Sequence, residues 1–206
     1  MIKIKIKEIK KNLNTFEFVQ IINLIKNENS DSILANISNT NIKKYLEVVT
    51  KSKNLHLYTC NNKNEIIGYA LIANKTQHLI NEFYKLSHKI LLDLIVRSKF
   101  LTIINLFLSF FSFDLIFIKK KDKIKISNNL NLNLLAIHKN YQSLGIGNKF
   151  LKFIFNDLKK KVKEKFISCE TNSKRAKSFY LKKMKFSLIG KKIRILNNMF
   201  ILIKKI

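Results

Sequence analysis

Residues 131–161, NLNLLAIHKNYQSLGIGNKFLKFIFNDLKKK, decide how the rest of the chain is read. The apolar run Leu134-Leu135-Ala136-Ile137 predicts a buried strand, and His138-Lys139-Asn140-Tyr141 a polar turn. Gln142-Ser143-Leu144-Gly145-Ile146-Gly147 then opens a helix, because Ile146, Phe150, Leu151, Ile154, Phe155 and Leu158 recur on one stripe at helical spacing. A strand-to-helix turn of this kind can hold a phosphate. The first N–H groups of the helix lack partners, the helix dipole is positive there, and glycine admits close approach of an anion.

Composition bounds what surrounds this turn. With 206 residues, 47% hydrophobic, the chain has enough material for one domain with a substantial core, and it is not of the disordered class. Cys60 and Cys169 are too few for a disulfide framework, so a reducing cytoplasm is the expected location. The opening MIKIKIKEIK alternates apolar and basic residues, which predicts a strand and no signal peptide. The net charge of +27 points towards anionic partners. Nearly all of it is lysine, however, with arginine only at Arg97, Arg175 and Arg194. Lysine, asparagine and isoleucine are abundant throughout and proline is absent, as in proteins from AT-rich genomes. Readers of nucleic acid favour arginine for bidentate contacts, so the lysine-dominated make-up of this charge argues against that function.

Taken in order, residues 2–9 read as an amphipathic strand. Asn14 or Thr15 caps a helix running to Asn27, with Phe16, Val19, Ile22 and either Leu24 or Ile25 turned inward. A second helix covers residues 37–50, started by Asn39-Thr40-Asn41. Strands at 55–60 and 65–73 flank a hairpin turn at Asn61-Asn62-Lys63-Asn64, and Gly68 marks a bulge or a close backbone approach. Residues 75–118 form a very apolar segment, with Asp114 the single charge among residues 100–118. We read it as a helical insertion that packs on the core or serves as a lid or a dimer surface. A membrane span would separate strands that share a sheet. A helix in the membrane interface, flanked by Arg97, Lys99 and Lys119 to Lys121, is the intermediate alternative. Beyond the central helix come a strand at 166–169, a helix at 172–183 and a terminal hairpin of strands at 186–196 and 199–203. The expected fold class is mixed α/β (α+β): a mostly antiparallel central sheet flanked by helices, in a single domain spanning 1–206.

This element order, with two motifs, resembles the GNAT superfamily of acyl-CoA-dependent N-acetyltransferases. LLAIHKNYQSLGIGNKFL is similar to the family's strand followed by Gln/Arg-x-x-Gly-x-Gly/Ala, with Gln142, Gly145 and Gly147 in the signature positions. CETNSKRAKSFYLKKMKF is similar to its Asn, Ala, Tyr and Gly-Phe pattern, through Asn172, Ala176, Tyr180 and Phe186. The likeness is clearest over residues 134–186. Two positions depart from it: Lys139 stands where the family often has proline, and Lys185 where it usually has glycine. Lysine in a left-handed helix end costs about 1 kcal/mol.

The resemblance implies acetyl-CoA as co-substrate. Its pyrophosphate would lie on the N–H groups of Gln142, Ser143, Leu144, Gly145, Ile146 and Gly147, with Asn148 and Lys149 extending the contact. Pantetheine would run along Leu135, Ala136 and Ile137 like an added strand, where the central strand and the next part company. Asn172 would contact the pantetheine arm, or act as a plain helix N-cap. Tyr180 would be the general acid for the departing thiolate, or else an ordinary core tyrosine. For the general base Glu170 is the first candidate and His138 the second, with a water chain as the alternative. His56, His78, His88 and His138 are scattered without ligand spacing, so no metal is expected.

The expected activity is N-acetyl transfer to a primary amine, within the acyltransferases that move groups other than amino-acyl groups. The apolar insertion is similar to one in GNAT proteins of bacterial surface-glycan biosynthesis, which implies the amino group of a nucleotide-linked amino sugar as acceptor. Protein or peptide N-acetylation is the alternative acceptor class, and a non-catalytic acyl-CoA-binding regulatory module the alternative function. Expected partners are acetyl-CoA, a small-molecule amine, a second copy of the chain, and the inner face of a membrane through the insertion.

Overall fold

In a computed structural model the described residues are 3–10, 13–30, 32–75, 78, 93, 115–118, 129–193 and 198–206. Strand β1 (Ile4–Ile9) leads to helix α1 (Thr15–Glu28), a 3-10 turn (Ile33–Asn36) and α2 (Asn39–Lys51). Strands β2 (Leu55–Asn62), β3 (Glu65–Ala73), β4 (Leu115–Ile118) and β5 (Leu130–Ile137) follow. After a second 3-10 turn (Lys139–Tyr141) come α3 (Ile146–Lys161), β6 (Phe166–Thr171), α4 (Lys174–Ser178), β7 (Ser187–Ile193) and β8 (Met199–Lys205). The eight strands form one sheet in the order β1-β2-β3-β5-β6-β8-β7-β4. Every pairing is antiparallel except β5 with β6. This is the mixed, mostly antiparallel sheet flanked by helices that the sequence predicts. The helical insertion predicted over 75–118 lies outside the described residues except at 75, 78, 93 and 115–118. Its end, Leu115–Ile118, is not helical but pairs with β7 as an edge strand. Asp93, in the same segment, accepts hydrogen bonds from the Ser38 N–H at 2.6 Å and from Asn41 Nδ2 at 2.7 Å, a carboxylate seated on the positive end of α2.

Two cores lie on opposite faces of the sheet. On one, α1 and α2 bury Phe18, Ile21, Ile22, Ile25, Tyr45, Leu46 and Val49 against Leu57, Tyr69 and Leu71. The other packs the full α3 stripe, Ile146, Phe150, Leu151, Ile154, Phe155 and Leu158, against Tyr58, Ile67, Ile72 and Leu132. Of the residues predicted to face inward in α1, Ile22, Leu24 and Ile25 are buried, but Phe16 and Val19 are not. Phe16 and Val19 are 61% and 51% exposed, and the buried set steps from Phe18 through Ile21 and Ile22 to Ile25. Both sets have helical spacing; the one with the more continuous aliphatic run went inward. Asn14 does cap α1, in a capping box with Glu17. For α2 the cap is Ser38 rather than Asn39, Thr40 or Asn41.

Gly68 faces a real steric limit. A Cβ there would lie 2.5 Å from Ile137 Cδ1 and 2.9 Å from the Ala136 carbonyl oxygen, so glycine lets β3 lie close against β5. A second irregularity shapes β5 itself. Ile72 pairs with Leu132 and Leu71 with Leu134, leaving Asn133 as an extra, bulged residue. The bulge reverses the alternation of the strand. Leu130 and Leu132 face α3, whereas past Asn133 it is Leu135 and Ile137 that pack on that side, with Leu134 and Ala136 on the other.

A polar chain ties the far end of the sheet to α3. Tyr58 Oη donates to Asp157 at 2.7 Å, and Lys161 bridges Asp157 and Glu8. Glu8 accepts from His56 Nδ1 at 2.7 Å, while His56 Nε2 lies 2.9 Å from Asn74 Oδ1. Burial alone would raise the Glu8 pKa, but the hydrogen bonds from His56 and Lys161 outweigh it and hold the group at about 2, below the ordinary 4.5. The folded value lies below the unfolded one. The stabilisation is therefore complete above pH 4.5 and is lost as pH falls from there towards 2, of the order of 2 kcal/mol after allowance for solvent screening. Urea titrations should show wild-type stability falling across that window, and a Glu8→Gln variant, weaker at pH 7, losing less across it. An equal slope in both would assign the acid sensitivity elsewhere.

Candidate functional site

The site begins where β5 ends. The β5–β6 ladder holds only from Leu130↔Ile167 to Leu132↔Cys169. Past the Asn133 bulge β5 stays with β3 as far as Ile137↔Gly68, and β6 stays with β8 as far as Thr171↔Phe200. The two central strands therefore part, and the edge of β5 from residue 133 to 137 faces a wedge between them. Leu134, Leu135 and Ile137 are half-buried along that stretch, and Ala136 is buried. An extended ligand can add to such an edge as a strand would, by backbone hydrogen bonds.

The loop beyond the wedge is built on two left-handed residues, Ser143 at φ 65° and Gly145 at φ 76°. Gly145 is the N-cap of α3, and no side chain caps that helix end. Its first N–H groups are left for solvent or an anion. Ile146 is buried in the core and anchors the turn, while Leu144 stands 55% exposed at its tip. Gly147 sits where three elements meet, 3.6 Å from Phe179 Cζ and 3.8 Å from Ile137 Cγ1 if a Cβ is added. Asn148 Oδ1 is buried without a hydrogen-bond partner, an unmet acceptor in the first turn of α3. Lys149 on the same turn is exposed. These features fit an acyl-CoA: an uncapped helix end for its diphosphate, a free strand edge for its pantetheine arm, and polar capacity left over. Among the described residues no group of His, Cys, Asp and Glu side chains could hold a metal ion.

Beside the wedge, α4 runs into a π-helical turn (Phe179–Lys183). Turns of this type concentrate at functional sites. Tyr180 lies in it, 6% exposed, its ring 5.4 Å from Phe179 and 5.2 Å from Phe186. Burial, with Cys169 nearby, pushes its hydroxyl well above the ordinary tyrosine range. The hydroxyl has no hydrogen-bond partner among the described residues. The turn ends with Phe186 N–H donating to the Tyr180 carbonyl at 3.0 Å and Lys185 left-handed at φ 58°, the conformation expected at the position where glycine is missing. Lys185→Gly should raise unfolding stability by about 1 kcal/mol in urea melts; a loss of stability would show that the lysine side chain contributes more than the strain costs.

The remaining predicted residues have mixed placements. Asn172 is not the helix cap: Ser173 is, its Oγ accepting from the Ala176 N–H at 3.2 Å, because the helix begins two residues later than its apolar pattern suggests. That leaves the Asn172 amide, half-buried at the end of β6, without a structural hydrogen bond among the described residues. Glu170 follows Cys169 on β6. Since Cys169 packs with Tyr180, Glu170 faces the opposite side of the sheet, with Lys192 Nζ at 3.9 Å. His138 is a turn residue whose Nδ1 accepts from the Asn140 N–H at 3.3 Å. Gln142 uses its side chain inside the protein, donating from Nε2 to the Ile137 carbonyl at 2.7 Å and to Glu28 at 3.0 Å.

Two residues at the loop were not found from the sequence. Glu28, at the end of α1, accepts from the loop. Arg175 Nη2 donates to Ser143 Oγ at 3.3 Å, bringing one of only three arginines to the loop mouth, and that rarity was its one sequence signal. An open cavity of about 420 Å³ lies elsewhere, lined among others by Lys5, Lys7, Phe16, Gln20 and Asn61; no residue of the 142–147 loop lines it. Among the described residues no helix is long and apolar enough to cross a membrane.

No protein-family profile matches the chain, and no curated protein matches it in sequence. Solved structures do match in shape. The chain superposes on an agmatine N-acetyltransferase mutant with TM-score 0.65, at 10% identity over 99% of this chain and 100% of that one. A GNAT family acetyltransferase from Elizabethkingia anophelis with acetyl-CoA bound gives 0.51, at 14% identity over 98% of each chain. The ribosomal-protein-S18-alanine N-acetyltransferase of Escherichia coli gives 0.53, at 10% identity over 99% and 94%. At such identities the likeness is one of fold, and the chain carries, along nearly its whole length, the fold of the GNAT acetyltransferases.

Proposed function

We propose that this protein transfers an acetyl group from acetyl-CoA to a primary amine. The observation that carries the reading is the parting of β5 from β6 directly beside an uncapped helix end, with the Tyr180 side chain packed in the same core as Cys169 of β6. The diphosphate of the co-substrate lies on the N–H groups of residues 143–147 with the α3 dipole behind them; the Gln142 N–H, expected to join them, is instead held by the Lys139 carbonyl at 3.2 Å. The pantetheine arm runs along Leu135, Ala136 and Ile137, with Asn172 donating to it from the β6 side. A β5 N–H at Ala136 or Ile137 polarises the thioester carbonyl. The neutral amine attacks the carbonyl carbon, forming the C–N bond and a tetrahedral oxyanion. As the oxyanion collapses the C–S bond breaks, and Tyr180 gives its proton to the departing thiolate. The ammonium proton must also leave, and Glu170, on the face opposite Tyr180, suits that role better than His138, whose Nδ1 is engaged in the turn. A water chain serves the same end.

For the acceptor we propose the amino group of a nucleotide-linked amino sugar, supported by the strongly positive chain and by the apolar segment 75–118. Agmatine and an alanine of ribosomal protein S18 appear in the names of two structures of this fold, so the fold itself chooses no acceptor. The reading includes a cytoplasmic location, with the segment 75–118 available for self-association or for contact with a membrane. The test is CoA release from acetyl-CoA in the presence of a panel of nucleotide-linked amino sugars, polyamines and peptides. Release with the sugars alone supports the full reading; release with peptides alone moves the acceptor to proteins. Binding of acetyl-CoA without release across the whole panel favours a regulatory acyl-CoA-binding module.

A further inference from the structure

Glu28 closes α1 and is half-buried, its carboxylate directed at the loop that follows β5. Oε1 accepts from the Lys139 N–H at 2.9 Å, and Oε2 accepts from Gln142 Nε2 at 3.0 Å. The same Nε2 donates to the Ile137 carbonyl at 2.7 Å. One carboxylate and one amide thus fix the end of β5, the start of the 3-10 turn and the first residue of the anion loop. The anchor is itself held, since the next residue, Asn29, accepts from Tyr69 Oη at 2.6 Å through its Oδ1. On charge alone the arrangement is adverse: a carboxylate beside an anion-binding loop repels the ligand. Only 13 of the 206 residues are acidic, which makes one at this place the more notable.

We propose that Glu28 is a positioning residue of the acyl-CoA site, holding the loop from behind so that its N–H groups are ordered before the diphosphate arrives. The inference rests on the acyl-CoA reading of that loop. A preorganised site loses less freedom on binding, and groups held by a second layer of hydrogen bonds keep their aim. Glu28 itself does not touch the co-substrate. Its contribution has the opposite sign from its charge: removing the carboxylate relieves repulsion but frees the loop.

The test compares wild type, Glu28→Ala and Glu28→Gln by calorimetry with CoA, steady-state kinetics and amide hydrogen exchange. Glu28→Ala should weaken CoA binding about tenfold, raise KM for acetyl-CoA with kcat little changed, and speed exchange at residues 139–147 in the free protein. Glu28→Gln, which keeps one acceptor, should fall between the two. CoA binding by Glu28→Ala as tight as wild type, or tighter, would overturn the proposal, because charge would then be all that Glu28 contributes. So would a loss of binding in both variants that follows a large drop in thermal stability. If wild type itself fails to bind CoA, the acyl-CoA reading falls and this inference with it.

Discussion

Gly145→Glu should abolish measurable acetyl-CoA binding in calorimetry, a loss of at least about 100-fold, in a chain that remains folded. Two costs separate here. Gly145 is left-handed, so any L side chain costs the fold about 1 kcal/mol. A Cβ at this position meets nothing within 4 Å, so no clash adds to that strain. The new carboxylate stands in the open mouth of the anion loop. A unit charge about 4 Å from a phosphate charge, at an effective dielectric of about 20, is repelled by about 4 kcal/mol, and each 1.4 kcal/mol is a factor of about ten. Gly145→Ala is the control, carrying the strain without the charge. Unchanged affinity in the glutamate variant would remove the diphosphate from this loop.

Tyr180→Phe should lower kcat by about 100-fold or more, the usual scale for losing a positioned general acid, with KM for acetyl-CoA nearly unchanged. A tyrosine hydroxyl is protonated at neutral pH, as a donor must be, and burial moves its titration further upward. Without a partner among the described residues, its removal orphans no polar group among them, so the melting temperature should move little. Steady-state rates beside a thermal melt read both quantities. Full activity in Tyr180→Phe would place the acid elsewhere, whereas equal loss of activity and stability would reduce the residue to a core tyrosine.

Local patterns in the sequence are what survived best. All six apolar residues predicted for α3 are buried, because a one-sided helix between polar turns has a single sensible orientation. The left-handed Lys185 was legible from the motif it interrupts. In α1 the inward placing of Ile22, Leu24 and Ile25 was legible, but Phe16 and Val19 were misread, because apolar residues on two faces compete in the first turns and only the neighbouring sheet chooses between them. The cap at Ser173 rather than Asn172 is a one-residue matter between two good caps. The strand at Leu115–Ile118 hid inside a continuous apolar run, where periodicity cannot separate helix from strand. Glu28 was beyond reach altogether, because its partner Lys139 is 111 residues away and the contact is purely tertiary.

The extra residue at Asn133 carries a consequence for how this protein can change over generations. It makes β5 two half-strands with opposite phase. Leu130 and Leu132 answer to the packing under α3, while residues 134–137, two side chains to each core, present their backbone edge to the wedge. Substitutions can therefore accumulate in the second half, tuning what the wedge accepts, without disturbing the first. A single-residue deletion between the halves has no such freedom: it would turn four side chains about at once, sending Leu134 and Ala136 towards α3 and Leu135 and Ile137 towards the α1 core. Lineages descended from this chain should vary freely in the identity of residue 133 and almost never in its presence.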